Sequence, residues 1–243
     1  MTNQWQLNDF SSNSIKTDTL NQLQQTTYKQ MINEKLDIEL IEVLKENGFT
    51  ESTPLQQICI PKIKSGRDLL CIAADGSGKS TAIVVSVLQR LKASLDDNPR
   101  AIIVVQNKDR ALEMKAEFER LGKYTDLRVQ TACDDEKIND QKDKIYMGSD
   151  VVIGTAKRLN QVYSLYALNL GVVKIFAIDN AELVIRSINY TQIDRLSESM
   201  PKAQRVVFAT NTNEWIERFA NAFMNVQDVI EIEEAEDEDV IDS

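Results

Sequence analysis

The chain has 243 residues, 42% of them hydrophobic and 27% charged, which is typical of a globular protein with room for one sizeable α/β domain and tails. It has no histidine, which excludes Ser-His-Asp and Cys-His catalysis, and no apolar run of about 18 residues, so no transmembrane helix is expected. The net charge is −10, but residues 228–243 hold nine acidic side chains and no basic one, so the rest of the chain is close to neutral.

The two ends of the chain differ in composition from its middle. Residues 1–30 are rich in Asn, Gln, Ser and Thr, which predicts a polar, disordered arm, with partner docking as the alternative. The start lacks the apolar core of a signal peptide, so a cytoplasmic location is expected. Residues 233–243 predict an acidic tail that is either solvated or folded back over a basic surface. The folded domain is therefore predicted to span residues 31–232.

The three cysteines offer little chemistry. Cys59, Cys71 and Cys133 form no C-x-x-C pair, and without histidine a zinc site has almost no ligands. We expect them to be small buried residues in a reducing compartment.

The first predicted element is a helix, followed by alternating strands and helices. In LDIELIEVLKENGF apolar residues recur at positions 36, 38, 40, 41 and 44, and Asn47-Gly48 is a typical helix C-cap. The predicted strands are residues 69–73, 101–105, 126–131, 150–154, 173–178 and 204–209. Most are separated by amphipathic stretches, and uninterrupted Val, Ile and Leu runs are typical of strands buried on both faces. The sequence predicts an α/β fold, a doubly wound, mostly parallel sheet flanked by helices.

The segment AADGSGKS, residues 73–80, matches the phosphate-loop pattern with alanine in place of the first glycine. Gly76 and Gly78 allow backbone N–H groups to turn toward phosphate oxygens, and the following helix adds its positive end. Lys79 is predicted to reach the β- and γ-phosphates, and Ser80 to ligate Mg²⁺.

Upstream, the Gln56 amide can both donate and accept, as reading an adenine edge requires, although a surface glutamine has the same signature. The predicted nucleotide-binding residues are Gln56, Ala74, Asp75, Gly76, Ser77, Gly78, Lys79, Ser80 and Thr81.

Together, GFTESTPLQQICIP, SGRDLL and AADGSGKST resemble the start of the DEAD-box RNA helicases. The matching residues outside the phosphate loop are Gly48, Phe49, Thr53, Pro54, Gln56, Ile60, Pro61, Gly66, Arg67 and Asp68. The resemblance implies a RecA-like P-loop NTPase domain that binds ATP with Mg²⁺ and binds RNA. It covers only the first of the family's two RecA-like domains. Met31 stands where the family has an adenine-stacking aromatic residue, which implies looser base selectivity.

The decisive departure from the family lies in AIDNAEL, where the family has V-L-D-E-A-D. The resemblance assigns Asp179 to Mg²⁺ through water. Asn180 occupies the position of the glutamate that deprotonates the attacking water, and a neutral amide is not a usable base. Glu182 replaces the final aspartate of the motif. Efficient hydrolysis by this chain alone is therefore not expected.

Other motifs of the family also match only in part. P-T-R-E-L-A reads QNKDRA, the expected paired glycines are replaced in TACDDEK, T-P-G-R reads TAKRL, and S-A-T reads FAT. The residues that the resemblance assigns to RNA are Lys108, Thr155, Lys157 and Arg158, whose charges could instead be solvated. The residues that it assigns to coupling between nucleotide and RNA are Phe208, Ala209 and Thr210.

Three functions stay open on the sequence. The favoured one is an ATP-binding, RNA-binding module with weak or no hydrolysis, which keeps the phosphate loop beside eroded catalytic motifs. The second is one half of an active RNA helicase that needs a second RecA-like domain, and the third is a protein-interaction scaffold that no longer binds nucleotide.

Overall fold

The computed structural model of the chain describes residues 36–49, 51–95, 97–225 and 229–232. The predicted polar arm, the predicted acidic tail and Met31 lie outside the described residues.

The described residues form one seven-stranded sheet in the order β3-β4-β2-β5-β6-β1-β7, in which every strand pair is parallel. The strands are β1 Leu69–Ala73, β2 Ala101–Val104, β3 Val129–Ala132, β4 Val151–Gly154, β5 Ile175–Ile178, β6 Gln204–Ala209 and β7 Val229–Ile232. This arrangement confirms the predicted doubly wound sheet.

Helices cover both faces of the sheet. They are α1 Ile38–Glu46, α2 Pro54–Lys64, α3 Lys79–Leu91, α4 Lys108–Leu121, α5 Ile138–Tyr146, α6 Ala156–Ser164, α7 Ala181–Val184, α8 Ser187–Glu198 and α9 Glu214–Phe223. Residues of α1 to α4 form one hydrophobic core and residues of α5 to α9 form the other.

Apolar side chains that alternate between the two faces of each strand contribute to both hydrophobic cores. In β2, Ile103 packs into the first core and Ile102 into the second, because successive side chains point to opposite faces. Phe208 and Phe176 contribute in the same way from β6 and β5, to the first and second core respectively. Each central strand is thus buried on both faces, as the uninterrupted apolar runs predicted.

Two strands differ most from the prediction, whereas the bounds of the others agree within two residues. The third strand begins at Val129, three residues later than predicted, because the backbone N–H of Arg128 donates to the carboxylate of Asp150 (3.0 Å) rather than to a strand carbonyl. The seventh strand, β7, was not identified from the sequence, because it is short and Glu231 interrupts its apolar pattern. It pairs with β1 at the edge of the sheet.

The three cysteines are buried thiols, as predicted. The Sγ atoms of Cys59 and Cys71 lie 3.5 Å apart in the first core. Burial raises the pKa of the Cys133 thiol to about 11, so it is protonated at neutral pH. Within the described ranges, no helix is both long enough and apolar enough to cross a bilayer.

Candidate functional site

The predicted nucleotide-binding residues lie at the carboxyl edge of the sheet. The phosphate loop follows β1, Asp179 follows β5 and Thr210 follows β6. Since β5, β6 and β1 are neighbours in the sheet, these three loops meet. This is the position at which open parallel sheets bind ligands.

The phosphate loop has the backbone geometry that its glycines predict. Gly76 and Gly78 have φ values of 83° and 94°, in the left-handed region that favours glycine. A Cβ atom on Gly78 would lie 2.5 Å from Nε2 of Gln56, so the loop also requires glycine for space. Helix α3 begins at Lys79, and its free N–H groups and positive dipole end face the loop.

The Gln56 side chain is hydrogen-bonded to the phosphate loop. Thr53 caps α2 in a reciprocal capping box with Gln56, whose Oε1 accepts from the Thr53 N–H at 3.1 Å. Gln56 Nε2 donates to the Gly78 carbonyl at 3.5 Å, and the Thr53 hydroxyl donates to the Ser77 carbonyl at 2.7 Å. Gln56 is only 3% exposed. The amide therefore serves the loop in this structure, and its contact with adenine stays a prediction.

Lys79 folds back onto the loop that carries it. Its ammonium donates to the carbonyls of Ala73 and Ala74 at 2.7 and 2.9 Å, to Asp75 Oδ1 at 3.2 Å and to Thr210 Oγ1 at 3.4 Å. The lysine side chain is 5% exposed, whereas the Asp75 side chain is 84% exposed. Hydrogen bonding and charge from Lys79 hold the pKa of Asp75 below its ordinary value.

The two predicted magnesium ligands are bridged by a residue that the sequence did not single out. Arg110, in the first turn of α4, donates from Nε to Oδ2 of Asp179 at 2.7 Å and from Nη2 to the Ser80 hydroxyl. Its Nη1 donates to Glu113 at 3.0 Å. Burial raises the pKa of Asp179, and the hydrogen bond from Arg110 partly offsets that rise.

This arrangement does not fit Mg²⁺. The Ser80 hydroxyl and the Asp179 carboxylate are oxygen donors of the kind that Mg²⁺ prefers. Both are already bound to the guanidinium of Arg110. The other carboxylate oxygen of Asp179, Oδ1, is buried and has no hydrogen-bond partner among the described residues.

The residues that replace the family's catalytic motif have distinct surroundings. Asn180 has φ 51° and ψ 58°, a left-handed conformation that asparagine adopts more readily than most residues, and it occupies the N-cap position of α7 without a capping hydrogen bond from its side chain. Glu182 accepts from the Thr210 N–H at 3.0 Å and from its hydroxyl at 3.2 Å. The replacement motif, which runs from β5 into α7, is therefore joined through Glu182 to the end of β6.

A cavity of about 510 Å³ opens above these groups, within the size range of ligand pockets. Its walls are Asp75, Gly76, Gly78, Lys79, Ser80, Thr81, Gln106, Arg110, Glu113, Glu117 and Asn180. Within this wall, the Thr81 hydroxyl donates a hydrogen bond to Glu117 at 2.6 Å. The cavity brings together most of the predicted nucleotide-binding residues with Asn180.

The residues predicted to contact RNA converge on an acidic loop, residues 134–136. Asp134 accepts from the Thr155 hydroxyl at 3.2 Å and lies 3.7 Å from the Lys157 ammonium. Asp135 lies 3.9 Å from the Lys108 ammonium. These acids occupy the segment where the family resemblance expects paired glycines, so the cations of this face are matched by negative charge.

Arg158 is bound even more closely to the acidic loop. Its guanidinium donates to the carbonyls of Glu136 and Asp134 at 2.9 and 2.6 Å and to Gln141 Oε1 at 3.3 Å. The residue is 7% exposed. In this structure Arg158 stabilises the loop, and its contact with RNA stays a prediction.

The predicted coupling segment is split between core and site. Phe208 and Ala209 are completely buried, and Phe208 packs in the first hydrophobic core. Thr210 reaches the site, where its Oγ1 also lies 3.3 Å from Asp75 Oδ1. Phe208 has no hydroxyl, so its side chain makes none of the hydrogen bonds of which a serine is capable.

Arg110 and the acidic loop were missed for different reasons. Arg110 follows a buried strand by six residues and lies in the first turn of a helix, where a cation is disfavoured unless an anion meets it. This unfavourable position of a cation was the feature of the sequence that could have indicated an anionic partner for Arg110. The acidic loop pairs with Lys108 and Lys157 because of the order of strands in the sheet. That order cannot be read from the sequence.

Comparisons with known proteins give the chain's relatives. A model described as DEAD/DEAH box helicase matches residues 53–219, more than half of the chain. The chain is 27% identical over 200 residues to the ATP-dependent RNA helicase DBP10 of Chaetomium globosum, over 82% of this chain and 26% of that protein. It is 27% identical over 204 residues to the ATP-dependent RNA helicase RhlB of Salmonella arizonae, over 80% of this chain and 48% of that protein. The chain therefore spans about half, or less, of the length of these curated relatives.

Solved structures agree on the fold. The yeast DEAD-box splicing factor Prp28 superposes with a TM-score of 0.75 at 19% identity, over 87% of this chain and 58% of that one. A DEAD box protein from the hyperthermophile Methanococcus jannaschii superposes with a TM-score of 0.76 at 20% identity, over 82% of this chain and 54% of that one. The neighbours share the RecA-like fold predicted from the sequence.

Proposed function

The chain belongs to the DEAD/DEAH box helicase family, and from that premise we propose that it is a nucleotide-binding module that holds ATP and hydrolyses it weakly or not at all. The observation that carries the proposal is the phosphate loop. Two left-handed glycines, a buried lysine and a helix N-terminus face one cavity, the combination that binds nucleotide phosphates.

Weak hydrolysis follows from the residue beside that cavity. Asn180 can hydrogen-bond a water molecule, but its amide does not accept a proton from it. A positioned general base contributes about 10² to 10⁴ in rate, so its loss separates binding from turnover.

Replacing Lys79 with alanine is expected to weaken ATP binding at least about tenfold, because hydrogen bonds from a charged donor contribute about 1.5–3 kcal/mol each. The measurement is calorimetric titration of the purified chain with ATP. Lys115→Ala is the matched control, since it removes a lysine that pairs with Glu119 on the surface of α4. If wild type and Lys79→Ala bind ATP equally, or neither binds, the phosphate loop is a relic and the proposal fails.

RNA binding is the second part of the proposal, and the acidic loop should keep it weak. Lys108 and Lys157 each lie near a loop carboxylate, which reduces the positive potential available to phosphates. A phosphate backbone would have to displace these contacts before it could use either lysine. We therefore propose that the acidic loop competes with RNA for this face.

Neutralising the acidic loop with Asp134→Asn and Asp135→Asn is expected to raise affinity for a single-stranded uridine oligonucleotide about tenfold at low salt. The gain should shrink as salt rises, because exposed charges are screened. Fluorescence anisotropy across a salt series measures both effects. Asp140→Asn with Asp143→Asn, on neighbouring helix α5, makes the same change in net charge. An equal gain in that control, or no gain in the loop variant, contradicts local competition.

A second function is favoured by the lengths of the relatives. The matched curated proteins are named ATP-dependent RNA helicases, and the chain covers 26% and 48% of two of them. The chain would then be the ATP-binding half of an active helicase that works with a second RecA-like domain. Substantial hydrolysis by the unmodified chain would favour this function over the first.

A further inference from the structure

Arg110 occupies the space between the two residues that would otherwise hold a metal. Its guanidinium donates to the buried carboxylate of Asp179 and to the hydroxyl of Ser80, and it lines the phosphate-loop cavity. The Asp179 side chain is fully buried and the Arg110 side chain is 23% exposed. The cation thus lies at the base of the cavity with part of its surface open to a ligand.

A divalent cation and Arg110 compete for the same oxygens. Mg²⁺ needs oxygen ligands whose lone pairs are available, at short and nearly ideal octahedral distances. Binding it at Asp179 and Ser80 would require Arg110 to leave a buried ion pair, which is costly because charges are stabilised there only by their partners. With Arg110 in place, Mg²⁺ would also face the positive charges of Arg110 and Lys79.

We propose that the guanidinium of Arg110 takes the place of the divalent cation, so that this chain binds nucleoside triphosphate without Mg²⁺. The inference rests on the proposed nucleotide-binding function and concerns the same site. A guanidinium has five N–H donors, and Arg110 uses three of them on Asp179, Ser80 and Glu113. The other two can bind phosphate oxygens, for which arginine is well suited.

The position of Arg110 in its helix supports a role for its charge. The side chain of Asn107 caps α4 by accepting from the Arg110 N–H at 2.9 Å, which places Arg110 in the first turn. A cation is disfavoured at this end of a helix dipole, and Asp179 and Glu113 compensate it there. Bound phosphates would compensate it further.

The test is calorimetric titration with ATP in excess EDTA and again in MgCl₂. Wild type is expected to bind ATP with affinities that differ by less than about threefold between the two conditions. Arg110→Leu is expected to lose at least about tenfold in EDTA and to regain affinity with MgCl₂, because Ser80 and Asp179 become available. Lys115→Leu, which removes a cation elsewhere on α4, should behave as wild type.

A further variant controls for the possibility that Arg110→Leu misfolds. Arg110→Leu leaves Asp179 buried without its cation, so the double variant Arg110→Leu/Asp179→Asn removes both charges together. It is expected to bind ATP weakly in both conditions, since it has neither the guanidinium nor the carboxylate. Circular dichroism confirms that each variant is folded before it is titrated.

Failure of the inference and failure of the proposed function give different results. If wild type loses about tenfold or more in EDTA, or if Arg110→Leu and the double variant keep wild-type affinity there, Arg110 does not replace the metal, although the chain still binds ATP. If Arg110→Leu binds ATP with MgCl₂ more tightly than wild type does, Arg110 is an inhibitor of metal binding and the inference is overturned. Absence of ATP binding by wild type in both conditions overturns the proposed function and the inference together.

Discussion

Replacing Asp150 with alanine is expected to lower the free energy of unfolding by about 3–5 kcal/mol, because it leaves a buried arginine without its counter-ion. Asp150 is fully buried at the start of β4. Its Oδ1 accepts from Arg100 at 2.9 Å, and its Oδ2 accepts from the backbone N–H and from Nε of Arg128, both at 3.0 Å. The carboxylate thereby joins the starts of β2, β3 and β4. Urea denaturation at neutral pH measures the loss.

A matched control variant shows whether the loss of stability comes from the burial of the removed carboxylate or from the loss of its charge alone. Asp97 pairs with the same Arg128 at 2.9 Å, but its side chain is 77% exposed, so Asp97→Ala should change stability little. Equal losses for the two variants would show that burial is not the cause.

The pH dependence gives a second readout for Asp150. Burial alone would raise its pKa, but hydrogen bonds from Arg128 and Arg100 hold the pKa below its ordinary value. A lowered pKa contributes stability above the unfolded value of about 3.9, and the contribution is lost as pH falls through the folded pKa. Asp150→Asn should therefore show less acid destabilisation than wild type between neutral pH and about pH 3.

The central strands could be predicted because their own composition determines their burial. Runs such as AIIVV and VVFA are apolar at successive positions, which is typical of a strand covered on both faces. The start of β3 could not be predicted, because it depends on a hydrogen bond from Arg128 to Asp150, 22 residues away. Strand β7 depends equally on pairing with β1, which no local pattern records.

In the candidate site, too, some features are determined by residues adjacent in sequence and others by residues far away in it. The phosphate loop is local: the conformations of Gly76 and Gly78 and the start of α3 follow from residues adjacent in sequence. The contacts of Arg110 are not local, since they join α4 to the first turn of α3 and to the end of β5. A motif can therefore predict which residues would hold Mg²⁺, while a distant side chain decides whether those residues are available.

Hydrolysis of ATP by the unmodified chain is expected to be at least about 10² to 10⁴ slower than by the related helicase RhlB under the same single-turnover conditions with RNA. The proposed function places Asn180 at the position of the general base, where its amide accepts no proton from water. An arginine supplied in trans to stabilise the transferring phosphoryl group contributes about 10³ to 10⁵ in rate, and the purified chain is assayed without such a partner. Radiolabelled ATP with excess chain measures the single-turnover rate.

Restoring the carboxylate alone should not recover this rate. Asn180→Glu is expected to stay within about tenfold of wild type, because Ser80 and Asp179 still bind Arg110 and the electrostatic surroundings of the phosphates are unchanged. The left-handed backbone of Asn180 also suits glutamate less well than asparagine. Asn180→Gln, which has the length of glutamate without its charge, controls for the added methylene. Rapid hydrolysis by wild type would instead identify the chain as the active half of a helicase, and a large gain in Asn180→Glu alone would mean that the base was the single missing element.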